Sequence, residues 1–541
     1  MSFYRQKTVG RFAAPIQPAS YNYTVPASVG GVNALDPLIA IPPQDCFYTF
    51  NLMPSEYGLR LRKGYREWAK NIGTTSTEVR SIIPFEGQDS ANDKLFCATA
   101  DGIYDVTNDG ETTPSRVVTF ADETLNAGYC TWTEMTLDNG EQKLFVADER
   151  NGLHMYDETT DTWSVPAFTG GIASSDVAFV LLHKQRLWVI EKGGSDAYYG
   201  PVDSIAGTFT KFTFGSKFKY GGELLCLANW TLDGGDGLDD YLVGISRGGD
   251  VLTYRGGDPS LPDWQLTGSF FVGEMPDSRR ATIGYAGQLF ILSVFGITSL
   301  QDLVSGISAS DTGRSASAKI NRPLRQQVIN KKDQYGWQMV IHPADGFLQV
   351  IEPYDALNNA IQYNQNLLTQ AWGYWRDMPV QCADVWQAEY YFGGEDGSIY
   401  IYTGGTDNVR IDVEEEGVAI EFSILTSFQA AGGEHATNKM NTLIRVVGVT
   451  NSDVAYNMKS VYDYNILDQA LPANAEPVIL AALWDQAIWD QAIWEGPLTG
   501  RYKIEGGNGI GRVVAIAMKG ASSSRITVVG WDLTMTNGGF L

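Results

Sequence analysis

The stretch Lys94–Val106 reads KLFCATADGIYDV: a continuous apolar run, a turn carrying Asp101 and Gly102, then a second short run ending on Tyr104. The same unit returns along the chain. It reads KLFVADERNGLHMYD from Lys143, RLWVIEKGGSDAYYG from Arg186 and YLVGISRGGDVLTYRG from Tyr241. It reads QLFILSVFGITSLQD from Gln288, FLQVIEPYDALNNAIQYN from Phe347 and YYFGGEDGSIYIYTG from Tyr390. β-Branched and aromatic flanks around Gly, Asp or Asn suit two strands joined by a tight turn. The turn glycines Gly102, Gly152, Gly249, Gly296 and Gly397 supply backbone freedom where a hairpin needs it.

The seven hairpins begin 43 to 59 residues apart. That period matches the blade of a β-propeller, a four-stranded sheet of roughly 40–50 residues. One hairpin cannot bury both of its faces, but blades packed around an axis can. The fold class is therefore all-β, a propeller of six or seven blades, since one hairpin can belong to a split blade or an insertion. No WD or kelch dipeptide marks the repeats, and the alternative is a row of β-sandwiches whose hairpins share a spacing.

Outside the repeat the texture changes. Residues 1–90 form an N-terminal extended arm and docking segment, with Pro, Ala, Ser and Val prominent in residues 11–45. Residues 91–410 are the propeller. Residues 411–541 open with an acidic run, Asp412 to Glu416, then alternate as strands do, in VAIEFSIL from Val418, TLIRVVGV from Thr442 and RVVAIAMKG from Arg512. They read as a C-terminal β-sandwich. Helical spacing is scarce; Asp45–Asn71 and Leu324–Lys332 carry the best of it.

The composition narrows the function. At 541 residues, of which 44% are hydrophobic and 12% aromatic, the chain can build a large core. The net charge of −24 speaks against a protein that grips nucleic-acid phosphates or an anionic membrane surface. No apolar run approaches 18 residues, so no membrane-spanning helix is expected, and the first twenty residues carry no secretory apolar core. The five cysteines, Cys46, Cys97, Cys130, Cys226 and Cys382, are scattered without CxxC spacing, which fits folding in a reducing cytoplasm and indicates neither disulfides nor zinc.

Catalytic signatures are weak. Four histidines, His154, His183, His342 and His435, sit in no HExxH or Cys/His cluster. No phosphate-binding glycine loop is present, and TNDGETT from Thr107 departs from the SxDxGxxW box of propeller sialidases. No cofactor or metal is expected. The cluster Asp233, Asp236, Asp239 and Asp240 has oxygen ligands of the calcium type but not the EF-hand spacing, and a solvated loop between strands is its ordinary reading. Trp484, Trp489 and Trp494 recur every five residues, off both the helical and the strand period. Such a row packs locally within the sandwich or serves a subunit contact, where tryptophan is enriched.

The stretch from Asp45 to Gly73, DCFYTFNLMPSEYGLRLRKGYREWAKNIG, carries Asn51-Leu52, Pro54, Arg60, Arg62 and Gly64 just ahead of the first hairpin. With the ending SSRITVVGWDLTMTNGGFL, it resembles the tail nozzle proteins (tail hub, or packaged-DNA stabilisation proteins) of short-tailed bacteriophages, the podoviruses. Direct motif likeness covers about a fifth of the chain. The resemblance implies a non-enzymatic virion protein made in the host cytoplasm. It would form a homo-oligomeric ring, usually six copies, below the portal and the tail adaptor. Tail fibres or spikes and a needle or plug would be further partners, and genomic DNA would pass through without specific binding. An acidic wall would let the genome slide without sticking. Arg60 and Arg62, with the three tryptophans, are then candidate interface residues. The alternative functions are a propeller glycosidase or an adhesin acting on host-surface polysaccharide; the first needs two carboxylates converging in the propeller mouth, and the second would bind cells by itself.

Overall fold

The computed structural model describes residues 20–537 apart from 206, 234–237, 354–360, 413–416, 433–436, 451–453, 467–498, 502–503 and 508. Almost all regular structure is strand; the α-helices among the described residues are Leu300–Val304 and Asn321–Lys331. The second of these overlaps the helical spacing read near Leu324. The first candidate does not hold: Asp45–Asn71 folds as the strands Asp45–Phe50, Leu52–Ser55, Gly58–Leu61 and Arg66–Ala69. Its β-prone aromatics find strand partners on both sides, and tertiary pairing overrides the local spacing.

The propeller expected from the repeat is present. Six small sheets stand as separate blades, five of four strands and one of three. Their innermost strands are Ser81–Phe85, Thr131–Thr136, Val177–His183, Leu224–Asp233, Thr282–Tyr285 and Cys382–Trp386. The hairpins from Lys94, Lys143, Arg186, Tyr241, Gln288 and Tyr390 fall on the second and third strands of these blades. The hairpin from Phe347 belongs to a four-stranded meander, Gln338–His342 to Trp372–Trp375. This meander fills the ring position between the fifth and sixth blades, and its outer strand runs on into a ten-stranded sheet.

The second strand of a blade is buried on both faces, which explains the unbroken apolar runs. In Gln142–Asp148, Leu144 and Val146 pack with Phe85 and Phe96 of the first blade, while Phe145 and Ala147 pack with Val180 and Val189 of the third. In Glu389–Gly393, Tyr390 and Phe392 face the meander and Tyr391 faces the first blade. Glycine is required where a turn abuts the next blade. Gly152 has φ +81°, and a Cβ there would stand 2.3 Å from the Ser174 carbonyl oxygen.

The N-terminal segment does not stop at residue 90 as an arm. Arg66–Ala69 pairs with Ile399–Ile401 as the fourth strand of the sixth blade, and Ser81–Phe85 opens the first blade. Ser20–Pro26 runs antiparallel along Ile526–Asn537, and Asp45–Phe50 pairs with Val418–Thr426. The ring is therefore closed, and fastened to the second region, by strands from the start of the chain. That second region carries two sheets. One includes Val418–Thr426, Val514–Ser522 and Ala455–Tyr462; the other includes Lys439–Thr450 and Ile526–Asn537. Ile424, Ile516 and Met518 of the first share one core with Ile444, Trp531 and Leu533 of the second.

Candidate functional site

Blade geometry points the leading ends of the inner strands at one mouth of the propeller, and side chains from several blades meet there. Arg279 and Arg280 precede the inner strand of the fifth blade. The Arg279 guanidinium donates to the Leu225 carbonyl oxygen at 2.5 Å and pairs with Glu149 of the second blade at 3.4 Å. Arg280 reaches past the meander and the sixth blade to the first, donating to the Arg80 carbonyl oxygen at 3.0 Å and to Ser81 Oγ at 3.2 Å. Tyr335, ahead of the meander, donates to Glu149 at 2.9 Å and has its ring 5.7 Å from that of Tyr129. The Arg80 and Arg280 guanidiniums lie over Tyr129 at 5.3 and 5.7 Å. Arg80 pairs with Glu78 at 2.8 Å, and Arg247 pairs with both Glu223 and Asp277.

These contacts join ring positions that are not neighbours, so they tie blades across the axis. Arg80, Arg247 and Arg279 are each matched by a carboxylate, while Arg280 donates to neutral oxygens. Burial pushes the phenols of Tyr129 and Tyr335 well above their ordinary range, so both stay protonated donors. Asp384, on the inner strand of the sixth blade, differs. Burial raises its carboxyl to about 7, against the Val385 backbone N–H, which donates to it at 2.7 Å. It is a carboxyl poised to change charge near neutrality.

Sequence reasoning named none of these residues. The signal was the arginine doublet Arg279-Arg280 directly before a strand, a place that points at the axis once the blade phase is known.

The two arginines named from the sequence lie elsewhere. The Arg62 side chain is fully buried within the chain and forms a two-pronged pair with Asp407, both contacts 2.7 Å. Its Nε donates to Asn51 Oδ1 at 3.0 Å, and Asn51 itself turns the chain at φ +62° and donates to the Glu421 carbonyl oxygen. The Asn51 and Arg62 of the motif thus form an internal lock between the N-terminal strands, the meander and the second region. Arg60 is partly exposed, on a strand paired with Thr527 and Val528. Trp484, Trp489 and Trp494 lie outside the described residues, as do Asp236 and His435.

Asp407 also lines a cavity of about 580 Å3 with Asp377, Glu395, Asp396 and Glu421, where Arg410 bridges Asp396 and Glu67. His154, His183 and His342 are buried in blade or meander strands, and burial lowers the first two below the ordinary histidine range. All five cysteines are buried and unbridged. Among the described residues no group of three or more His, Cys, Asp or Glu is arranged to hold a metal, and no helix is long and apolar enough to cross a membrane.

Fold and mouth together define an all-β protein built on a β-propeller, joined to a second sheet-rich region. No protein-family model matches the chain, and no curated protein matches it. Among solved structures, the computationally designed Ika8 protein is similar over 62% of this chain and 99% of its own, at 10% identity and a TM-score of 0.34. A likeness that loose carries no argument.

Proposed function

We propose that this chain is a structural virion protein, a tail nozzle subunit that forms a ring, of six copies in the related case, extending and closing the DNA channel of a short-tailed bacteriophage. The observation that carries the reading is the compensated mouth. Arginines and carboxylates from several blades are used against one another to tie the ring across its axis, as suits a rigid building block. The acidic balance of −24 supports a wall along which DNA slides, and the motif around Asn51 and Arg62 supports the resemblance. The tail adaptor, and fibres, spikes or a needle, are the partners this reading proposes.

One observation favours a second reading. A carboxyl that remains protonated near neutrality, such as Asp384, is what a glycosidase uses as its general acid. Negative-stain imaging of the purified chain, alone and mixed with a portal–adaptor assembly, separates the two. Rings of about six copies with a continuous pore, in either sample, are expected of a nozzle. A small assembly that cleaves polysaccharide, and stops doing so as Asp384→Asn, would overturn it in favour of the enzyme.

A further inference from the structure

Arg62 turns one side to Asp407 and lines a second cavity of about 340 Å3. This cavity lies where the end of the strand Gly58–Leu61, the turn at Gly404-Gly405 and the turn at Ser523–Arg525 come together. Its charged lining is wholly cationic, Arg60, Arg62, Lys63 and Arg525, in a chain whose net charge is −24. Two of the four are already neutralised: Arg62 by Asp407, and Lys63 by Asp345 at 2.7 Å. Arg60 and Arg525 have no ion pair and no side-chain hydrogen bond among the described residues.

Both guanidinium-bearing residues line the one pocket, Arg60 on a strand and Arg525 in the turn that leads into its partner strand. Arg60 stands opposite Thr527 in the paired strands, and Arg525 lies two residues before Thr527. The wall between them is a close backbone contact, since a Cβ on Gly405 would stand 2.2 Å from the Ser523 carbonyl oxygen. Two unmatched cations held side by side repel each other, and a ligand with two negative charges removes that repulsion while accepting their paired N–H donors. The volume is at the small end of ligand sites.

We infer that this pocket binds a small multivalent oxyanion, a phosphate or a pair of carboxylates, clamped between Arg60 and Arg525. A free-phosphate site is independent of the ring reading, whereas a site filled by a second copy rests on it. The anion has two possible sources: a free phosphate, or acidic side chains of a second copy of this chain.

The test is calorimetric titration of inorganic phosphate into the full chain at constant ionic strength. It is paired with sedimentation of the same samples across a range of protein concentrations. Variants are Arg60→Gln, Arg525→Gln and the double change, with exposed Arg314→Gln as control and thermal melting to verify folding. A free phosphate site gives saturable binding, weakened about tenfold by each single change and lost in the double. A carboxylate site gives self-association that phosphate competes away and the double variant lacks. Arg314→Gln changes neither. Phosphate binding and self-association both absent, or both unchanged in a folded double variant, would overturn the inference.

Discussion

The propeller and the second region bury their strands in different ways. In the blade strand Gln142–Asp148 every residue after the first is buried, because neighbouring blades cover both faces. In Lys439–Thr450 buried and open residues interchange, because a sandwich sheet covers one face only. A side chain on a middle blade strand such as Gln142–Asp148 therefore has no outward position to retreat to, whereas every second or third residue of Lys439–Thr450 does. The contrast says where the molecule tolerates change: at the outer sandwich faces, and hardly anywhere along the middle strands of a blade.

The place where the two regions meet should show the largest effect. Arg62→Ala leaves the Asp407 carboxylate buried without its cation, and the expected loss is about 3–5 kcal/mol, read by urea unfolding. Burial alone pushes Asp407 up and Arg62 pulls it back, so Arg62→Ala with Asp407→Asn should lose less than Arg62→Ala alone. An equal loss would mean that the pair is not what joins the regions.

The contrast in burial is tested by two truncations. Leu144→Ala, in a strand covered on both faces, should cost about 2–5 kcal/mol. Arg445→Ala, which removes an ion pair to Asp532 on the outer sandwich face, should cost about 1 kcal/mol or less. Similar costs for the two would break the comparison.

The mouth contributes an effect that depends on pH. Because folding raises Asp384 from 3.8 to about 7, the folded state holds a proton that the unfolded chain releases. Stability from this group is fully present below the unfolded value and is lost as pH rises through the folded one. The slope is at most about 1.4 kcal/mol per pH unit in that window. Asp384→Asn should flatten the window, measured as unfolding free energy against pH; a variant with the wild-type slope would remove Asp384 as its cause.

The ring was legible because its hairpins are local: each apolar run, turn and second run lies within about twenty residues, so Lys94–Val106 could be matched to six others. The N-terminal strands were not. Arg66–Ala69 pairs with Ile399–Ile401, and Ser20–Pro26 with Ile526–Asn537, across most of the chain, and nothing within either segment records its partner. The boundary drawn at residue 90 therefore separated strands that the fold places in the sixth and first blades. The mouth was illegible for a related reason. Arg279 and Arg280 look like ordinary charges beside a strand until blade order turns them toward Glu149 and Ser81. Arg62 stood out in a motif, yet its burial depends on Asp407, 345 positions away.

The central claim is that residues 20–69 make the propeller and the second region one folded body. Differential scanning calorimetry of the full chain tests it most directly. Shared strands require a single unfolding transition, with calorimetric and van't Hoff enthalpies in agreement. Two separated transitions, one surviving when the other region is already unfolded, would contradict the account.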